Sequence, residues 1–161
     1  MSQDHTNRFR QQREMVKVTT NLPSSDWHSH ALENLWAEPL GNDRFRLQNV
    51  PFYAFGMSLD DVVSAKSVGG QLIVQDVQER GGHSTYRLYL KGVTVTSEAF
   101  TRCWKPLEAI GATFEQASDR LVAVDVPDTA NIYEAYALLQ AGEEAGVWDF
   151  QEGHCGHPLN N

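Results

Sequence analysis

An α+β protein is expected from this sequence: a small SH3-like β-barrel over residues 31–82, then a ferredoxin-like βαββαβ sandwich over residues 83–161 with a short C-terminal tail. Three observations lead there. Short runs of alternating apolar and polar residues, separated by glycine turns, fill the first region. Two stretches with apolar residues three and four apart break that rhythm in the second. The composition, 41% hydrophobic and 21% charged over 161 residues, is that of a globular chain with a sizeable core, and it excludes a fibre, a disordered chain or a disulfide scaffold.

Residues 1–30 are rich in Gln, Asn, Ser, Thr and charge, and predict a polar, mobile tail with one short helix or an added strand near residues 14–20. His28 and His30 within it read as solvated imidazoles. Leu35, Trp36 and Leu40 form an apolar-rich run that ends at the hairpin turn Gly41-Asn42-Asp43. Phe45 and Leu47 alternate with arginines. Pro51 then interrupts, and Phe52 to Gly56 is an aromatic cluster. Leu59 to Ala65 predicts a third strand, Gly69-Gly70 the next turn, and Leu72 to Val77 another strand. Gly81-Gly82 closes the unit. So many short strands within about 50 residues suggest a small barrel.

Thr85 to Lys91 alternates again as a strand. Ser97 can cap a helix whose apolar stripe is Phe100, Cys103, Trp104, Leu107 and Ile110. Pro106 falls inside it and predicts a kink or two short helices. Residues 112–117 and 120–126 predict a hairpin. Asp128 or Thr129 then caps a second helix bearing Ile132, Tyr136 and Leu139, and a last strand runs from Val147 to Phe150. The order βαββαβ is that of a split βαβ sandwich with both helices on one face.

The formal charge of -8 is lopsided. Residues 1–30 carry +1 and residues 31–95 carry -1, while residues 96–161 hold Arg102, Lys105 and Arg120 against eleven carboxylates. That field repels nucleic acid and anionic membrane and favours a basic partner. The aromatic stacking of an RNA-binding sheet is also missing from Arg120–Val126. With no apolar signal segment near the start and only Cys103 and Cys155, a cytoplasmic setting is expected.

Several segments together resemble a known family: Leu35-Trp36-Ala37-Glu38-Pro39-Leu40, Asn49-Val50-Pro51-Phe52-Tyr53-Ala54, Gly82-His83-Ser84-Thr85-Tyr86, residues 142–150 from Gly142 to Phe150, and residues 152–158 from Glu152 to Pro158. Their order and spacing resemble a bacterial family catalogued as domain of unknown function 4265, over about Leu32 to Pro158. The resemblance implies a small stand-alone bacterial protein and carries no catalytic residue.

The leading functional expectation is a non-catalytic cytoplasmic protein-binding module, of the immunity type that inhibits a basic toxin. It would use Glu134, Glu143, Glu144, Asp149 and Glu152 and need no cofactor. The alternative is a metal-dependent enzyme or sensor, with zinc held by His83, His154, Cys155 and His157, all competent ligand types. Against it, His154-Cys155-Gly156-His157 lacks the C-x2-C spacing that lets one turn present two thiolates, and tail histidines that anchor the last strand are the simpler reading. A catalytic Cys155 is disfavoured because adjacent His154 points to the other side of an extended chain. A third expectation is a small-ligand-binding regulator with its pocket where barrel and sandwich meet, near Gly81-Gly82-His83.

Overall fold

A computed structural model describes residues 14–25 and 28–159. Among them, in order, are β1 Val16–Asn21, β2 Leu32–Gly41, β3 Arg44–Leu47, β4 Val62–Val68, β5 Gln71–Glu79, β6 Ser84–Leu90, α1 Glu98–Ala109, β7 Thr113–Gln116, β8 Leu121–Val126, α2 Ile132–Glu144 and β9 Trp148–His154. Among the described residues the fold is mixed α+β, with two sheets and two helices. No helix among the described residues is long and apolar enough to cross a membrane.

Strands β1 to β5 close into a barrel around Val18, Leu35, Ala37, Leu47 and Val63. Successive strands pair antiparallel, and closure comes from a short parallel contact, Val18↔Leu72 and Thr19↔Ile73, between β1 and β5. The turn between β2 and β3 holds Gly41, Asn42 and Asp43 at φ of 85°, 55° and 58°, a region that glycine and Asx side chains tolerate best.

The barrel begins earlier than the composition of the tail implied. Residues 16–21 are strand β1, paired with β2 from Val16↔Ala37 to Asn21↔Leu32. Val18 enters the core, whereas the polar residues Thr19 and Asn34 join by a 2.7 Å hydrogen bond. Of the short helix and the added strand expected near residues 14–20, the strand forms, supported by ten-residue β2. Residues 1–13 and 26–27 of the expected tail lie outside the described residues. The third expected strand starts at Val62, because Asp60 (φ 73°) and buried Asp61 belong to the preceding turn.

The second sheet has the order β7-β8-β6-β9, antiparallel throughout. Both helices pack on one face, where Tyr86, Leu88, Val122 and Val124 meet Phe100, Leu107 and Leu139. Helix α1 runs through Pro106 as one helix, in place of the predicted pair of short helices. Pro106 is exposed in the last turn, and its missing N–H leaves only the carbonyl of exposed Arg102 to solvent. Ser97 makes no side-chain cap bond to the helix; its hydroxyl accepts from the Thr94 N–H at 2.8 Å. Asn131, not Asp128 or Thr129, caps α2, accepting from Tyr133 and Glu134 N–H groups at 2.9 and 3.1 Å. The buried stripe of α2 is Ile132, Ala135, Leu139 and Gly142, so Tyr136 lies outside it. At Gly142 a β-carbon would overlap the Trp148 ring.

Candidate functional site

Residues 48–61, between β3 and β4, leave the barrel and cover the sheet face that the helices do not. Two buried carboxylates shape this loop. Glu33 points inward from β2 and accepts from the N–H groups of Phe52, Tyr53 and Ala54 at 2.7, 3.1 and 2.9 Å. Asp61 accepts from Ser58 N–H and Gly81 N–H, both at 2.9 Å, and from Arg80 Nη1 at 3.1 Å. A buried carboxylate is costly unless its oxygens are bonded in this way.

The sandwich meets the loop with the residues of β6 and β7 that point away from the helices. Arg87 is fully buried, donates to the Ala54 carbonyl, and sets its guanidinium carbon 4.6 Å from the Phe55 ring centroid. Burial draws its pKa down, and the Glu33 carboxylate acts in the opposite direction. Gly153 keeps β9 clear of it, since a β-carbon there would stand 3.0 Å from Arg87 Nη1. Thr85 and Ser58 hydroxyls share a 2.7 Å bond, and Glu115 accepts from Val50 N–H at 3.0 Å and Asn49 Nδ2 at 3.3 Å. Burial, with help from Glu33, pushes the Tyr53 hydroxyl pKa up.

At the link between the halves, two histidines are held in different ways. His83 Nδ1 faces both oxygens of buried Asp125 at 2.9 and 3.0 Å. Burial raises the Asp125 pKa, and the bond from His83 opposes that. His157 Nε2 lies 2.8 Å from the Pro127 carbonyl, which can only accept, so this nitrogen carries the proton. In the neutral ring Nδ1 accepts from the Ser84 hydroxyl at 2.6 Å, while Ser84 accepts from Gly156 N–H at 3.0 Å. Ser84 is fully buried, so this serine–histidine pair ties down residues 155–157.

The metal-ligand set of the alternative reading is not assembled. Both His157 nitrogens are engaged, His83 is turned to Asp125, and the half-buried Cys155 thiol donates to the His157 carbonyl at 3.7 Å. His154 belongs to β9, and burial, followed by Arg80, holds its pKa below the ordinary value. Among the described residues no three His, Cys, Asp or Glu side chains group around a common point.

The five acidic candidates lie on α2 and on β9 beside it. Asp149 pairs with Lys91 at 3.0 Å, Glu152 accepts from the Tyr86 hydroxyl at 3.2 Å, and Glu143 accepts from Phe150 N–H at 3.2 Å. Glu134 and Glu144 stand exposed on α2. Glu33 and Asp61, which shape the loop, and Arg87 and Glu115, which join the halves through it, were not among the candidates. One signal was present: residues 121–126, Leu-Val-Ala-Val-Asp-Val, read as a strand covered on both faces.

A model of the family described as domain of unknown function (DUF4265) matches residues 33–150. The chain belongs to the DUF4265 family. The match takes in Glu33, Asp61, Arg87 and Asp125 and stops before Cys155 and His157. A solved structure described as a novel crystal structure of a hypothetical protein from Neisseria gonorrhoeae is similar to this DUF4265 chain, with a TM-score of 0.72 at 18% identity. The alignment covers 91% of this chain and 100% of that one, so the likeness concerns the fold of both halves. No curated protein matches.

Proposed function

We propose that this DUF4265 protein is a non-catalytic binding module for a basic protein, an immunity-type inhibitor engaging its partner through α2 and β9. One observation carries the proposal. Tyr133 and Tyr136, 51% and 47% exposed, stand on the outward side of α2 among Glu134, Glu143 and Glu144. Tyrosine is enriched at the centre of interfaces, and a surrounding field of one sign speeds encounter with an oppositely charged partner. Tyr136 rests edge-on against Phe150, with ring centroids 5.3 Å apart, so it is already ordered for docking.

The same reading takes the barrel as SH3-like and the sandwich as ferredoxin-like, supported by the βαββαβ order and the arrangement β9-β6-β8-β7. Free Cys103 and Cys155 support a cytoplasmic setting.

The test is capture by the immobilised chain from a lysate of its source cells. The expected result is one basic protein, retained at low salt and released as ionic strength rises. The E134K/E144K variant changes charge without touching the bonds of Glu143 or Glu152, and should lose it. Capture of nothing, or of a protein indifferent to both changes, overturns the proposal.

A further inference from the structure

His154 ends β9 as the cross-strand partner of Thr85, whose hydroxyl meets Ser58, so it stands on the sheet face that the loop over residues 48–61 covers. Its ring is half-buried, and Nε2 is buried with no hydrogen-bond partner among the described residues. A neutral imidazole tolerates this place when Nε2 carries the lone pair and Nδ1 the proton. An imidazolium does not: both nitrogens then carry hydrogen, and a buried donor without an acceptor is unfavourable.

The acceptors of this region are occupied. Asp61 Oδ1 takes Gly81 N–H, and Oδ2 takes Ser58 N–H and Arg80 Nη1. The Gly153 carbonyl takes Gly56 N–H at 3.1 Å, and the Gly56 carbonyl takes Arg80 Nη1 at 2.6 Å. Loop tip, β9 and the residues after β5 are thus tied into one joint beside His154. Three charged groups act on its ring. Arg80, between β5 and β6, opposes protonation, whereas Asp61 of the loop and Glu152 of β9 favour it. Glu152 accepts from the Tyr86 hydroxyl on the helix face, and β6 sets only uncharged Thr85 opposite His154. Burial and Arg80 outweigh the two carboxylates, so the closed joint holds the His154 pKa below its ordinary value.

We infer that His154 is a proton-operated lock on this joint: uptake of a proton at Nε2 parts Gly56 from Gly153 and lifts Phe55 off the guanidinium of Arg87. Opening gives the new N–H water to bond and draws the imidazolium away from Arg80. The movement is confined to the tip, because Glu33 still holds residues 52–54 and Met57 stays in the barrel core. In the open joint the ring is solvated and titrates near the ordinary value of about 6.5, and in the closed joint it titrates lower. Between those two values the open form gains up to about tenfold for each unit that pH falls, and above them the joint stays shut. The lock does not rest on reading α2 and β9 as a docking face.

The test is amide exchange in the full chain by NMR, from about pH 7.5 to about pH 4.5, read as protection factors so that the pH dependence of intrinsic exchange drops out. Protection at Gly56 should hold steady above about pH 6.5 and fall below it by up to about tenfold per unit, while the amides of β6 and β8 keep theirs. His154→Gln, neutral at every pH, should remove the fall. Arg80→Gln should shrink it, because the cation that opposes protonation is gone. Added chelator should leave every profile unchanged. A flat Gly56 profile in the parent chain, or an undiminished fall in either variant, overturns the lock. Loss of protection in step with β6 and β8 overturns it as well, since that is global unfolding. A profile that moves with chelator assigns the competition for His154 to a metal and overturns it too.

Discussion

Removing the Glu33 carboxylate tests how the barrel loop is held. Glu33→Ala leaves the N–H groups of Phe52, Tyr53 and Ala54 without their acceptor; Ala54 is buried and the other two residues are half-buried. Leaving one buried donor unsatisfied costs about 1–3 kcal/mol, and losing bonds to a charged acceptor adds to it, so the total is about 3–5 kcal/mol. For a chain of this length that lowers Tm by roughly 10 °C. Urea unfolding followed by tryptophan fluorescence reads it as a fall in midpoint at constant m. Glu33→Gln keeps one acceptor oxygen and should lose about half as much. A Glu33→Ala variant within about 0.5 kcal/mol of the parent, the range of an ordinary surface change, refutes the reasoning. Order in residues 52–54 would then come from the sandwich side alone.

Three other outcomes follow from the packing and the titrating groups. Gly142→Ala drives a β-carbon into the Trp148 ring and should destabilise by about 1–3 kcal/mol, with a changed near-ultraviolet signal; an unaltered spectrum and midpoint count against it. His154 has a folded pKa below its ordinary value, so its contribution is full above about pH 6.5 and declines as pH falls through that value. Stability measured across this range should slope less in His154→Gln, and an identical slope contradicts the assignment. Ser84→Ala removes the hydroxyl that joins His157 Nδ1 and Gly156 N–H. It should cost about 1–3 kcal/mol and speed both amide exchange at Gly156 and alkylation of Cys155; unchanged exchange would show that residues 155–157 are held elsewhere.

The strand alternation and glycine turns made the α+β arrangement legible, because periodicity reports which side of an element is buried. It did not report what covers the second side. Arg87 alternates with Tyr86 and Leu88 as an outward residue would, yet it is fully buried under the loop from Ala54 to Phe55. Only the absence of an outward polar set in residues 121–124, Leu-Val-Ala-Val, carries that information locally. Tyr136 misled in the opposite direction: it keeps helical spacing from Ile132, but the small residues Ala135 and Gly142 take the buried side, with the Trp148 ring against Gly142. The candidate site was legible as residue types and not as partners. His157 meets Ser84 from 73 positions away, a pairing no local spacing encodes.

The loop over residues 48–61 belongs to the barrel by sequence and to β6 by contact. Synthesis is vectorial, and an N-terminal unit ordinarily matures as it emerges. Here the barrel strands are complete by Glu79, but Arg87 and Thr85, which receive Ala54 and Ser58, emerge afterwards. A nascent chain arrested at Gly82 therefore carries an assembled barrel whose flap is held on one side only, by Glu33, Asp61 and the burial of Met57, with the Ala54 carbonyl and the Ser58 hydroxyl still without their partners on β6. Protease sensitivity of that flap should fall further once β6 has left the ribosome, which makes β6 the step that completes its protection.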